Sequence, residues 1–579
     1  MGSLKSPFTL KDATIENLRP IKVRVIGAGY SGVYLGVRIP QRIRNVDLQI
    51  YEKNEGVGGT WWENRYPGCA CDVPTHSYQY TFDPNPNWAG FYASAPEIRK
   101  YLGDVAEKFG VTRHLKTSHE VMRCAWDESA KKWNLTVKNL VTGLMFEDEA
   151  DVVVSCRGIL NKPVWPKVPG IDDFKGKMMH SAAWDDSYDF TNKKVAMIGG
   201  GSSGVQILPE LVNIPGITIS CFVRSKVWIA NPFFDETMEK LGLDPKILTF
   251  SEKQQKQFAE DPEYYLQFRK IIEGTGSAYH AITLKDSQMQ ADSVQELRAL
   301  MKEKLAKKPE VAENLIPTYA AGCRRLIPGP GYLDALVADN VDFYSNEMAS
   351  ITATGIELKN GKHIDLDAIV CATGFDSSGI PQYEVKGVDG QTIQQRFTPY
   401  PETYMSLAVD GFPNYFMMMG PNSALGAGSL TVVLENEGDY IVKCIRKLQK
   451  EDYTSMMPKQ SRVKDFQEYV AEYFKRTIYV DKCNSWYKNE AKTGDHIIGL
   501  WPGSTTHALE MLRAPRWEDF DYESREDNKL RWLGNGWSYC HTPGTGGDPT
   551  FYLNPEFVDT VMPGTPENDP KNMRRPFSQ

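Results

Sequence analysis

Val23-Arg24-Val25-Ile26-Gly27-Ala28-Gly29-Tyr30-Ser31-Gly32 and Val195-Ala196-Met197-Ile198-Gly199-Gly200-Gly201-Ser202-Ser203-Gly204 are two instances of one pattern. In each, an apolar run ends in G-x-G-x-x-G and a helical pattern follows. Such glycines allow a tight turn and let the backbone approach a pyrophosphate, while the helix N-terminus supplies N–H groups and positive dipole. The residue twenty places past the last glycine differs between the two: Glu52 after Gly32, Arg224 after Gly204. A carboxylate there accepts from a free ribose 2′-hydroxyl, whereas an arginine accommodates a 2′-phosphate. The chain therefore reads as holding two nucleotides, one FAD or NAD and the other NADPH. Lys226 stands close enough to share the role of Arg224.

Outward from these stretches, the spacing predicts an α/β fold with two Rossmann-like dinucleotide-binding domains and a helical insertion. The first strand–turn–helix unit covers about 22–39, and a second strand, 46–51, ends at Glu52. Another strand, Val152-Val153-Val154-Ser155, runs to Gly158. Pro163, Pro166 and Pro169 then mark an extended crossing. The second unit begins at Lys194 and is interrupted by a charged stretch with helical periodicity. Within it, a helix starting near Asp292-Ser293 places Val294, Leu297, Met301 and Leu305 on one face. The sheet pattern resumes near Val341 and at 367–374. The resulting division is 1–155 as the first segment of the first nucleotide (FAD or NAD) domain, 156–232 as the first NADPH segment, 233–320 as the helical insertion, 321–375 as the second NADPH segment and 376–579 as the second segment of the first domain with its C-terminal extension. Residues 1–21 read as a polar arm, and 542–579 as surface wrapping.

Composition narrows the function classes. The 579 residues are 41% hydrophobic and 11% aromatic, ample for several packed cores, and the net charge of −8 argues against a nucleic-acid partner. No apolar run approaches a membrane span. The start, Met1-Gly2-Ser3-Leu4-Lys5-Ser6, fits a myristoylation pattern but reads as an ordinary start, so no stable membrane anchoring is expected. Asn134-Leu135-Thr136 is a glycosylation sequon set in strand-like residues. The ten cysteines hold no C-x-x-C pair, and Cys69 and Cys71 read as loop residues. That is the pattern of reduced thiols in a cytoplasmic protein with no metal site.

Two further segments carry a family resemblance. Phe174-Lys175-Gly176-Lys177-Met178-Met179-His180-Ser181-Ala182-Ala183-Trp184-Asp185 resembles, at every fixed position, the signature F-x-G-x-x-x-H-x-x-x-W-[P/D] of type I Baeyer–Villiger monooxygenases. Gly58-Gly59-Thr60-Trp61, Tyr66-Pro67-Gly68 and Asp72 match that family's second signature. The resemblance runs from about Val23 to Trp501 and extends to fungal relatives. One departure is Ser155-Cys156-Arg157-Gly158, where the family has Ala-Thr-Gly; it bears on local packing.

The resemblance implies an NADPH-dependent FAD monooxygenase that turns a ketone into an ester or lactone with O2, through a C4a-peroxyflavin. It implies catalytic roles for Arg325, as a fixed cation, and for Asp72, as the carboxylate that orients it; taken alone, Arg324-Arg325 reads as a solvated basic pair. FAD contacts implied are Gly27, Gly29, Gly32, Glu52, Gly59, Thr60, Trp61, Asp72, Tyr78 and Val121. For NADPH they are Gly199, Gly201, Ser202, Ser203, Gly204, Gln206, Arg224, Ser225, Arg324, Arg325 and Trp486. His180 maps to the linker between domains, and Phe416-Met417-Met418-Met419-Gly420-Pro421 to the segment that re-enters the flavin domain, its methionines as core filler. The expected partners are a small-molecule ketone, bulky and of polyketide, terpenoid or steroid type, and O2, with a monomer or weak homo-oligomer as the assembly. Two alternatives stay open: oxygenation at sulfur or nitrogen, and a non-catalytic NADPH-binding protein of the same fold.

Overall fold

The computed structural model describes residues 8–230, 235–244, 247–488, 496–541, 544 and 547–554. Residues 1–6, with their myristoylation-like pattern, and much of the 542–579 stretch lie outside them.

Two five-stranded parallel sheets organise the chain. In the first, the order is Tyr415–Met417, Val152–Ser155, Ile21–Ile26, Val46–Tyr51, Leu115–Lys116. In the second, it is Val341–Tyr344, Thr218–Phe222, Lys194–Ile198, Ala368–Cys371, Lys177–His180. The central strands are apolar throughout because helices or loops cover both faces, so Val152–Ser155 and Ala368–Cys371 are buried at every position. Tyr415–Met417 pairs with Val152–Ser155, which returns the chain to the first sheet after the second is complete. A four-stranded sheet (Glu384–Lys386, His119–Asp127, Lys132–Asn139, Met145–Ala150) packs beside the first. The sequon Asn134 lies in its strand Lys132–Asn139.

Each glycine run turns directly from strand to helix. Gly27 has φ +105 and Gly199 φ +124, conformations that L side chains rarely adopt. The helix Tyr30–Arg42 buries nine of its residues, and crosses the long helix Leu430–Lys450 closely. A Cβ at Gly438 would meet the Tyr34 ring at 2.5 Å, so only glycine permits that approach.

The interruption of the second sheet is helical: Asp235–Lys240, Glu252–Glu260, Pro262–Ala278, Gln288–Lys304 and Pro309–Leu315. The fourth of these starts earlier than Asp292-Ser293. Its cap is Ser287, whose hydroxyl accepts from the Gln290 backbone N at 3.1 Å. The Gln290 amide turns inward to the carbonyls of Ile282 and Ala321 at 2.6 and 2.7 Å, so the helix's first buried residue is polar and the apolar stripe begins a turn late. Met301 and Leu305 are fully buried, as that stripe requires.

The insertion is pinned to the first domain by His76. Its ring sits edge-on to Phe250, Phe258, Tyr265 and Phe268, and its Nδ1 shares a 2.8 Å hydrogen bond with the Tyr265 hydroxyl. Burial, aided by Arg269, pulls its pKa down to about 3, so the ring is neutral. The N-terminal arm is tied down too: Ile15 N donates to Trp537 O, and Arg19 reaches the carbonyls of Leu448 and Tyr453. Among the described residues no helix is long and apolar enough to cross a membrane.

Candidate functional site

One cavity of about 450 Å³ is lined by residues of both glycine runs. From the first come Gly27, Gly29 and Glu52; from the second come Ser202, Ser203 and Gln206. Gly59, Thr60, Trp61, Asp72, Tyr78, Val121, Arg325 and Trp486 line it as well. These residues share one space although they lie up to several hundred positions apart; Gly32, Gly199, Gly201, Gly204, Arg224, Ser225 and Arg324, also expected at the site, are not in its lining.

At the first run the backbone leaves no room for side chains. A Cβ on Gly32 would stand 1.9 Å from the Gly27 carbonyl oxygen, and one on Gly27 would stand 2.6 Å from that of Cys156. Gly59, at φ +54, brings a second loop to the same place, where its Cβ would lie 3.0 Å from the Gly29 Cα. Two strand-to-helix loops thus face the cavity with bare backbone. Glu52 ends the strand Val46–Tyr51 and is 3% exposed. It accepts from the backbone N–H groups of Ala28 (2.7 Å) and Asn54 (2.8 Å). Burial raises its pKa, and these two donors work against that rise. Each carboxylate oxygen keeps a lone pair for a ribose hydroxyl. Trp61 donates from Nε1 to the Tyr78 hydroxyl at 3.3 Å, their rings 77° apart. Val121 is buried in the strand His119–Asp127.

The second run is built alike. A Cβ on Gly199 would meet Ala372 O at 2.2 Å and one on Gly204 would meet Gly199 O at 2.3 Å. At Gly201 the nearest atom would be a guanidinium nitrogen of Arg324 at 3.7 Å. Arg324 therefore sits beside this loop, near the Lys226 carbonyl (3.5 Å). Arg224 and Ser225 follow the strand Thr218–Phe222 and are absent from the cavity lining; Arg224 is exposed. Gln206, on the helix Ser202–Leu211, accepts from the Tyr66 hydroxyl (2.9 Å) and donates to Ala70 O (2.9 Å), coupling this helix to the loop that carries Asp72.

Where the two halves meet, Arg325 donates Nε to Asp72 Oδ2 at 2.5 Å and an Nη to Oδ1 at 2.7 Å. This bidentate pair fixes the plane of the guanidinium. Burial opposes the charge of Arg325, but Asp72 outweighs it and holds the pKa well above the ordinary arginine value. Arg325 owns five N–H donors and commits two to Asp72. Tyr487, one residue past Trp486 and fully buried, also interacts with Arg325 and has its own pKa raised by burial.

The cysteine reading needs correction. Cys323 and Cys483 form a disulfide with Cα atoms 6.4 Å apart across 160 residues. It ties the turn bearing Arg324 and Arg325 to the loop bearing Trp486. A pairing at that separation leaves no spacing signal in the sequence. Met417, Met418 and Met419 are buried core residues, as expected; Met419 also lines the cavity and donates its backbone N to Glu437 at 2.9 Å. The departure Arg157 bears on more than packing, because it also lines the cavity.

Two contributors have no signal in the sequence. The helix Leu430–Lys450 points its first turn at the cavity through Leu430, Thr431 and Leu434. Tyr487 is masked by the more conspicuous Trp486 beside it. By contrast, the most diagnostic signature lies away from the cavity. His180 ends the edge strand Lys177–His180, fully buried between Trp165 and Phe375, with its pKa lowered by burial. Trp184 stacks on Phe190, and Asp185 pairs with Lys177. This segment braces the second sheet.

Residues 21–240 match the family model described as flavin-binding monooxygenase-like. The chain is 35% identical to the FAD-binding monooxygenase tazF of Aspergillus terreus over 94% of this chain and 96% of that protein. It is 32% identical to a Baeyer–Villiger monooxygenase of Pseudomonas aeruginosa over 86% of this chain and 90% of that one. Among solved structures, a steroid monooxygenase bound to NADP is 26% identical with a TM-score of 0.74, covering 87% of this chain and 99% of that chain. The closed form of cyclohexanone monooxygenase shares the fold at a TM-score of 0.75 and 23% identity, over 87% of this chain and 99% of that one.

Proposed function

The chain belongs to the Baeyer–Villiger class of flavin-binding monooxygenases, and on that premise we propose that it inserts one oxygen atom beside a ketone carbonyl, with Arg325 and Asp72 as its charged machinery. It is an FAD enzyme that uses NADPH. Bound FAD, reduced by NADPH, supplies the activated oxygen; the chain supplies position and charge.

In this reading the bare loops at Gly27–Gly32 and Gly58–Gly59 would hold the FAD pyrophosphate, Glu52 would accept from its ribose, and Trp61, Tyr78 and Val121 would contact the cofactor. Gly199–Gly204, Gln206, Arg224, Ser225 and Arg324 hold NADPH, with Trp486 against the nicotinamide end. The division of the chain into discontinuous flavin and nicotinamide domains belongs to the same proposal. Arg325 keeps its proton at any working pH and turns its uncommitted N–H groups toward the cavity. There it stabilises negative charge that builds on oxygen during the attack, and Asp72 holds it in the required plane. A preorganised donor aimed at developing charge is worth about a hundredfold or more in rate. The proposed substrate is a bulky ketone of polyketide, terpenoid or steroid type, and the similarity to a solved steroid monooxygenase supports the last of these.

The observation that carries the proposal is the Asp72–Arg325 fork lining the same cavity as both glycine runs. Arg325→Ala tests it. The variant is expected to bind FAD and to be reduced by NADPH, while ester formation, followed by mass spectrometry as a one-oxygen gain, falls at least a hundredfold. Ester yields like the wild type's refute the role of Arg325. Sulfide oxygenation that outruns ketone oxidation in the wild type would favour heteroatom oxygenation instead.

A further inference from the structure

A second, smaller cavity of about 100 Å³ lies on the other side of the Asp72–Arg325 pair. Asp72, Val73 and Arg325 line both cavities, as do Leu425 and Gly428, so the two spaces meet at the guanidinium. The second contains none of the glycine-run residues. Its walls are largely apolar: Ile272, Ile282, Leu326, Leu425 and Ile478. Beyond Asp72, one carboxylate faces this chamber. Glu273 comes from the insertion helix Pro262–Ala278, and the Ser77 hydroxyl donates to its Oε1 at 2.7 Å. Ser429, at the start of the helix Leu430–Lys450, supplies a second hydroxyl.

A carboxylate oriented into an apolar chamber is costly unless its lone pairs are satisfied. Glu273 offers about four acceptor positions, and the two serine hydroxyls take only part of them. Burial raises its pKa, and those hydroxyls and Arg269 oppose the rise. The chamber also touches Arg325, so Glu273 and the reactive centre bracket one small space.

We propose that Glu273 is a specificity-determining residue that accepts a hydrogen bond from a hydroxyl group on the ketone substrate, remote from the carbonyl that Arg325 serves. This deepens the Baeyer–Villiger reading and rests on it. A neutral hydroxyl suits the chamber better than an ammonium group, because Arg325 on one side and Arg269, one turn before Glu273, already place positive charge nearby. A carboxylate-bearing substrate would face the like charge of Glu273. Sites built to bond a hydroxyl reject the analogue that lacks it far more strongly than apolar pockets discriminate by size.

The test uses the flavin-loaded full chain and two matched pairs of ketones: cyclohexanone with 4-hydroxycyclohexanone, and 4-phenylbutan-2-one with 4-(4-hydroxyphenyl)butan-2-one. The wild type is expected to show a KM at least tenfold lower for the hydroxylated member of one pair or both. Glu273→Leu should bring the two members within about threefold. Glu273→Gln, which keeps an accepting oxygen, should retain part of the preference. In both variants the rate of flavin reduction by NADPH should be unchanged. A residue that merely clamps the insertion to Ser77 would change both members of a pair alike and leave their ratio untouched. Equal KM values within both pairs in the wild type, or a preference that survives Glu273→Leu, overturns this assignment while leaving Arg325 in place. Failure of the wild type to form an ester from any of the four, with sulfide oxygenation intact, overturns the reaction itself and Glu273's role with it.

Discussion

The two glycine-run clefts, which we propose hold FAD and NADPH, are made from the same strand–glycine–helix unit, yet they differ in how they hold charge. In the first, Glu52 is buried and accepts two backbone N–H groups. In the second, the residue at the matching position, Arg224, is exposed, although the glycines of the two runs are packed alike. The difference fits the division of labour between a cofactor that stays and one that must leave after each turnover. A buried anchor held by two backbone N–H groups favours a long residence; an exposed cation binds a 2′-phosphate through screened charge and releases it readily.

The largest effect should come from tightening what is already tight. Gly32→Ala places a methyl 1.9 Å from the Gly27 carbonyl oxygen, and neither backbone segment can yield without opening the turn. The purified variant should carry less than about a tenth of the wild-type flavin, read from its visible absorbance per polypeptide. Gly201→Ala, whose nearest neighbour would be 3.7 Å away, should keep the KM for NADPH within a few-fold. Equal tolerance at both positions would mean that the close contact at the last glycine of the run does not hold the turn.

Arg224→Ala comes next. A charge-assisted hydrogen bond to phosphate contributes about 1.5–3 kcal/mol, and exposure puts Arg224 at the lower end. The KM for NADPH should rise about tenfold, that for NADH by less than threefold, and the difference should shrink as salt is added. A variant that weakens both nucleotides equally would remove the 2′-phosphate from this cleft.

How much of this is legible in the sequence follows from the range of the interactions. The strands flanking each glycine run, and Glu52 and Arg224 at their fixed distances, are local features, so spacing alone locates them. The return of Tyr415–Met417 to the first sheet is inferable because no third nucleotide fingerprint follows residue 374. The Cys323–Cys483 bridge, the chamber at Glu273 and the start of Leu430–Lys450 at the cavity join segments far apart in the chain, and nothing at either end announces its partner. The start of the helix at Gln288 escapes a periodicity reading for a different reason: its buried first-turn residue is a glutamine bonded to carbonyls, and a hydrophobic pattern cannot register it. The Asp72–Arg325 pair, 253 residues apart, is reached from sequence only through family resemblance.

The smallest expected effect probes the buried side of the comparison through its protons. Glu437, on the helix that crosses Tyr30–Arg42, is fully buried and accepts from Met419 N beside the cavity. Burial raises its pKa from 4.5 to about 8, with the Met419 N–H working in the opposite direction. The neighbouring Cys156 thiol, itself raised by burial, stays protonated throughout this range. Because the folded-state pKa lies above the unfolded one, the folded protein binds a proton that the unfolded chain has lost. The resulting stability is complete below about pH 4.5 and declines as pH rises through about 8. A tenfold change in proton affinity corresponds to about 1.4 kcal/mol, so the whole span amounts to a few kcal/mol. The thermal unfolding temperature, followed by flavin fluorescence, should therefore drop by a few degrees between pH 5 and pH 8. Glu437→Gln, which keeps an oxygen for Met419 N but cannot ionise, should flatten that slope. A slope unchanged in the variant would mean that the first cleft's anchoring does not depend on this carboxyl. A flattened one, with the KM for NADPH unaffected, would place the proton on the flavin side alone.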